Sequence, residues 1–121
     1  MKIAVTSQTT EIDGAVPALF GDSPYLMIID ADKNEIFKIY GKQDPFNLIF
    51  AQKVLLHDCE ALICGPMGKG PFDLLADKGV TRYNGTGMTV QEAYTKMVNY
   101  QLPWITDCIG GKNTPGHHCE E

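Results

Sequence analysis

The run "ALICGPMGKGPFDLLADKG", Ala61 to Gly79, restricts the possible folds more than any other stretch of the chain. Four apolar residues, Ala61–Cys64, have the length and uniformity of a central strand buried on both sides. A loop with three glycines and two prolines follows, and then a short pattern that puts Phe72, Leu75 and Ala76 on one helical face. Gly79 stops that helix, because a glycine takes the left-handed cap conformation without a steric penalty. A strand, a tight glycine turn and a helix in this order predict an α/β sheet.

The flanking segments extend the pattern. "KIAVT" reads as a short buried strand from Lys2 to Thr6, and "YLMIID" and "EIFKIY" read as a hairpin joined by "ADKN". Between the first strand and the hairpin, "SQTTEIDGAVPALFGDSP" is long, rich in turn residues and without period. Asp44–Pro45 opens a helix whose apolar face carries Phe46, Ile49, Phe50 and Val54. "VTRY" is a further strand. Thr89 and Glu92 form a capping box before Val90, Ala93, Tyr94, Met97 and Val98, which recur at helical spacing. The predicted order is β-β-β-α-β-α-β-α in residues 1–102, followed by a flexible tail at 103–121 that contains cysteine and histidine.

The bulk numbers narrow the class. The chain has 121 residues, 44% hydrophobic and 21% charged, which suits a single domain with a core. A formal net charge of −5 argues against a nucleic-acid surface. No apolar run reaches membrane-spanning length, and "MKIAVTSQ" is too short in its apolar part for a signal peptide. The expected compartment is the cytoplasm, where Cys59, Cys64, Cys108 and Cys119 stay reduced, as free thiols or metal ligands.

The glycine loop has two readings. It is either a tight strand-to-helix turn or a backbone cradle for an anionic ligand, with Cys64 or Met67 offering a soft sulfur. It is neither a Walker A loop nor the dinucleotide fingerprint, since Gly65, Gly68 and Gly70 have the wrong spacing and Lys69 precedes Gly70. Asp30, Asp32 and Asn34 imitate half of a calcium loop, but Glu35 stands where its glycine belongs, so a polar hairpin turn is expected. His57 reads as a helix C-terminal cation or a surface residue, Ser7 has no evident base, and Cys59 and Cys64 read as core residues. In the tail, Cys108, His117, His118 and Cys119 suit zinc, copper or iron, against an incidental tail as the alternative. Ordering those twelve residues would cost on the order of 12–24 kcal/mol, against about 10–16 kcal/mol from a structural zinc. Modest affinity is therefore expected, unless the stretch around Trp104 to Cys108 is already docked.

"MKIAVTS", "FGDSPYLMIID" and "CEALICGPMGKGPFDLLADKGVTRYNGTGMTVQEAYTKM" together resemble the dinitrogenase iron–molybdenum cofactor biosynthesis family, the NifX, NafY and NifB C-terminal domain group. The resemblance spans roughly residues 1–102. It implies a ribonuclease-H-like mixed sheet flanked by helices, and a binding or carrier protein for an iron–molybdenum or other metal–sulfur cluster, not an enzyme. Cluster-assembly or acceptor proteins are the implied partners, with no nucleic acid and no membrane. The implied site places Gly65, Gly68 and Gly70 with Cys64 and Met67 on one wall, and Ser7, Thr9 and Gly21 on the other. Family members often carry a histidine just before the "FG" of the first long loop; here that residue is Leu19. The competing reading is a small regulatory or protein-interaction module with no cluster. A nuclease is not expected, because "KIAVT" supplies no carboxylate for a two-metal site.

Overall fold

Side-chain alternation determines what each strand can bury. In the computed structural model, which describes residues 1–41 and 48–106, five strands form one sheet. They are β1 (Lys2–Ser7), β2 (Tyr25–Asp30), β3 (Glu35–Gly41), β4 (Ala61–Cys64) and β5 (Thr81–Asn84). The helices are α1 (Leu48–Leu56), α2 (Lys69–Asp77) and α3 (Val90–Val98). The sheet order is β3-β2-β1-β4-β5. β1 is antiparallel to β2 and β2 to β3, whereas β1, β4 and β5 run parallel. The chain is thus a mixed α/β protein with a five-stranded mixed sheet flanked by helices.

Alternate residues face two cores. Ala4, Leu26, Ile28 and Leu62 pack beneath α1 and α2, meeting Phe50, Val54, Phe72 and Leu75. Ile3, Val5, Met27, Ile29 and Ile63 pack beneath α3, meeting Val90, Ala93 and Met97. Burial on both faces is why β1, β2 and β4 read as continuous apolar runs. β3 lies at the edge and is largely exposed.

Local signals place most boundaries. The Thr89 hydroxyl accepts from Glu92 N–H, and Glu92 returns the bond to Thr89 N–H, as the capping box requires. Gly79 has φ 76°, the left-handed value expected after α2. β5 begins at Thr81 instead of Val80, whose side chain turns into the core. Val98, expected on the buried face of α3, is half exposed. The Asp44–Pro45 helix start and Phe46 lie outside the described residues. Pro103–Ile105 run along β5: Asn84 N–H donates to Pro103 O at 2.8 Å, and Ile105 N–H to Arg82 O at 2.7 Å. Among the described residues no helix is long and apolar enough to cross a membrane.

His57 is not an exposed cation. Its Nε2 lies 2.6 Å from the Tyr40 hydroxyl, and its ring meets Phe37 edge-on. Burial, then the charges of Lys2, Lys38 and Lys53, hold its pKa below the ordinary 6.5. The folded chain therefore takes up fewer protons than the unfolded chain at mildly acid pH. This contribution to stability is intact above the unfolded value and is lost as pH falls through the depressed folded value. His57→Gln is expected to shrink the drop in unfolding temperature between about pH 7 and about pH 5. An equal drop in variant and parent would show that His57 does not cause it.

Candidate functional site

In parallel sheets, ligands meet the carboxyl ends of strands where successive connections leave in opposite directions. Here the chain leaves β1 towards β2 on one side and leaves β4 towards β5 on the other. The crevice between β1 and β4 is such a point, and Ser7 and Cys64 end the two strands there.

The long loop after β1 fills that crevice. Gln8 N–H bonds Ala15 O, and Val16 N–H bonds Met88 O. The loop then crosses the glycine turn, where Phe20 N–H donates to Pro66 O at 2.9 Å. Gly65 is buried under it: a Cβ at this position would lie 2.4 Å from Ala18 O and 2.8 Å from Pro17 O. Gly65 is therefore explained by close packing of two backbone segments. Pro17, Ala18 and Phe20 were not among the sequence-derived candidates. Their only signal was apolar character within an aperiodic stretch.

The other candidates divide into two groups. Cys64 and Met67 point into the core, and burial pushes the Cys64 thiol far above its ordinary pKa. Cys59 is likewise buried, its thiol pushed up to about 11. A protonated buried thiol is a poor metal ligand. Ser7 is buried, and its hydroxyl accepts from Thr9 N–H at 3.2 Å, while Thr9 Oγ1 accepts from Glu11 N–H, so these two hydroxyls bond within their own turn. Gly21 lies in the 3-10 turn Phe20–Asp22, next to the Phe20–Pro66 bond. Leu19 precedes this turn, partly exposed, with its carbonyl accepting from Ser23 Oγ.

Gly68 and Gly70 are different. Both are exposed, and a Cβ at either would meet nothing within 4 Å. Gly68 is the N-cap of α2, and the first bond of that helix runs from Phe72 N–H to Gly68 O. Among the described residues the N–H groups of Gly68 and Gly70 form no hydrogen bond, and Pro71 has none to give. At the neighbouring start of α3, by contrast, Val90 and Gln91 N–H donate to Gly14 O and Ile12 O, and Glu92 N–H to Thr89. Of these two helix starts at the carboxyl edge, that of α2 is open. Lys69 adds a cation, bonded to Asp73 at 2.7 Å, and Arg82 lies over the Phe72 ring at 4.5 Å. Among the described residues, Thr6 Oγ1 and Arg82 Nε are buried without a hydrogen-bond partner, and no group of three or more His, Cys, Asp or Glu could hold a metal ion. Cys108, His117, His118 and Cys119 lie outside the described residues.

Residues 1–100 match the family described as "dinitrogenase iron-molybdenum cofactor". The chain belongs to this family. No curated protein matches it. Among solved structures, the apo form of the orange protein from Desulfovibrio gigas superposes with a TM-score of 0.75 at 22% identity, covering 86% of this chain and 92% of that one. A candidate NifB protein from Thermotoga gives 0.73 at 22% identity, covering 85% and 91%. A candidate dinitrogenase from Methanocaldococcus jannaschii gives 0.62 at 17% identity, covering 88% and 97%. At these identities the likeness establishes the fold. Within this member of the dinitrogenase iron-molybdenum cofactor family, the open start of α2 is the part of the glycine loop that packing leaves unexplained.

Proposed function

We propose that the protein binds an anionic metal–sulfur cluster, iron–molybdenum or a related one, as cargo during cofactor assembly or trafficking, and that it is a carrier, not an enzyme. The observation that carries this reading is the pair Gly68 and Gly70. Gly68 is the N-cap, where glycine is an ordinary choice, but glycine within the helix, as at Gly70, destabilises it by roughly 0.5–1 kcal/mol relative to alanine, and neither position has a packing reason for it. What glycine provides there is backbone that a bulky ligand can approach, with N–H groups aimed outward and the positive end of the helix behind them. Sulfide and oxo ligands of a cluster are acceptors for such donors. The buried sulfurs of Cys64 and Met67 do not favour a direct protein–metal bond at this loop. The cluster would rest on Gly68, Lys69 and Gly70, beside the Gly21 turn.

The sheet order fits a ribonuclease-H-like reading of residues 1–102, with β1 lacking the carboxylate a two-metal nuclease would need. The tail set of Cys108, His117, His118 and Cys119 is read as a second site, for zinc, copper or iron. Docking of Pro103–Ile105 on β5 supports this only in part: it holds the chain to the domain three residues before Cys108, while the twelve residues from Cys108 to Cys119 would still have to be ordered. Cytoplasmic assembly or acceptor proteins would receive the cargo.

Gly70→Ala is expected to stabilise the fold by about 0.5–1 kcal/mol, and Gly68→Val to leave it folded. Both are expected to weaken binding of a thiomolybdate anion in an anaerobic titration by about ten-fold or more, the equivalent of one or two lost hydrogen bonds to a charged acceptor. Folded variants that bind as tightly as the parent would remove the cradle.

A further inference from the structure

Away from the glycine loop, three cations gather on the α1 side of the sheet. Lys2 comes from β1, Lys38 from β3 and Lys53 from α1. Lys2 Nζ lies 4.9 Å from the Phe37 ring centroid, and Lys38 and Lys53 lie 5.7 and 5.2 Å from that of Tyr40. His57 joins the two rings, edge-on to Phe37 and hydrogen-bonded to Tyr40. Among the described residues no carboxylate lies within ion-pair distance of these three lysines. In a chain with ten Lys and Arg against fifteen Asp and Glu, this is a local reversal of sign. Phe37 is 55% exposed at its centre.

The patch depends on an irregularity in β3. Lys38 pairs with Ile28 and Ile36 with Ile29, so Phe37 is the extra residue of a bulge. In a regular strand Phe37 and Lys38 would point to opposite faces. The bulge brings both to the α1 side, and it also spoils the edge of β3 as a template for strand addition.

We propose that this surface docks an acidic segment of a partner protein, its carboxylates meeting Lys2, Lys38 and Lys53 and an apolar side chain resting on Phe37. The charge and the exposed ring together select this partner chemistry. The ammonium groups are distributed over two rings and do not converge on one point, so a segment with several carboxylates can engage more of them than a single small anion can. A long polyanion would meet the repulsive field of the rest of a chain with net charge −5. Lys2 begins β1, whereas the glycine loop follows the carboxyl end of the parallel β4, so docking leaves that loop uncovered.

The test uses the full chain and a short labelled polyglutamate peptide with one central phenylalanine, followed by fluorescence anisotropy at low and physiological salt. Binding that weakens with salt is expected. The double variant Lys38→Gln/Lys53→Gln, which keeps most of both stems, is expected to weaken it about ten-fold, about 1.4 kcal/mol. Phe37→Ala is expected to weaken it with the salt dependence retained, and Lys96→Gln on α3, across the sheet, to leave it unchanged. If the double variant is not folded, the exposed Lys38→Gln alone decides. No binding by the parent, equal binding by the lysine variants, or equal loss in Lys96→Gln would overturn the proposal. So would displacement of the peptide by an equal concentration of inorganic phosphate, or duplex DNA binding through the same lysines.

Discussion

Phe20→Ala is expected to lower the stability of the fold by about 3–5 kcal/mol and to detach the loop between β1 and β2 from the glycine turn. The Phe20 side chain is fully buried in the core under α1 and α2, where Leu26 and Met67 also lie. The loss of a buried ring removes its transfer energy and leaves a cavity that only partly collapses. Phe20 also anchors the loop through its backbone, since its N–H donates to Pro66 O and its carbonyl accepts from Ser23 N–H. Urea unfolding measures the first effect. Hydrogen exchange at Val16 and Phe20, whose amides bond Met88 O and Pro66 O, measures the second. A loss below about 1 kcal/mol with both amides still protected would show that the loop is held by something other than Phe20.

Gly65→Ala is expected to destabilise by about 1–3 kcal/mol or more, because its Cβ would be driven into the backbone of Pro17 and Ala18. Neither segment can yield easily: Cys64 O is bonded by Gly85 N–H on one side, and Val16 is bonded to Met88 on the other. For a domain of this size the unfolding temperature would fall by roughly 5–15 °C. Gly68→Ala, three residues on, meets nothing and has φ −73°, so it is expected to change stability by less than about 0.5 kcal/mol. The comparison is informative because the two glycines look equivalent in the sequence. If both variants lost the same stability, the assignment of Gly65 to packing and Gly68 to ligand approach would fail.

Much of the fold was legible in local signals. Apolar runs marked β1, β2 and β4, because these strands are covered on both faces. Thr89 and Glu92 placed the start of α3 and Gly79 the end of α2, since caps are satisfied by residues within one turn. The motif between Ala61 and Met97 was specific enough to carry the family. The candidate site was legible only as a segment. That Gly65, Gly68 and Gly70 shared a strand-to-helix junction followed from order along the chain. Which of them faced a neighbour, and which faced open space, depended on a loop some fifty residues earlier that has no periodicity to read.

The same distinction explains the remaining differences. Cys64 and Met67 turn inward because alternation and the docked Phe20 loop place them in the core, so their sulfur chemistry is suppressed by burial. The His57 pKa is lowered by burial first, and then by lysines from three separate elements. Pro103 and Ile105 follow β5 through backbone bonds to Asn84 and Arg82 that their side chains do not announce. Phe37 and Lys38 share a face because β3 is bulged against β2. Sequence alone therefore determined the elements, their order and the family, all of which rest on contacts within a turn or on spacing along one strand. Tertiary structure decided which groups are exposed, which are charged and which helix start is open, because burial and electrostatic environment are set by residues distant in the chain.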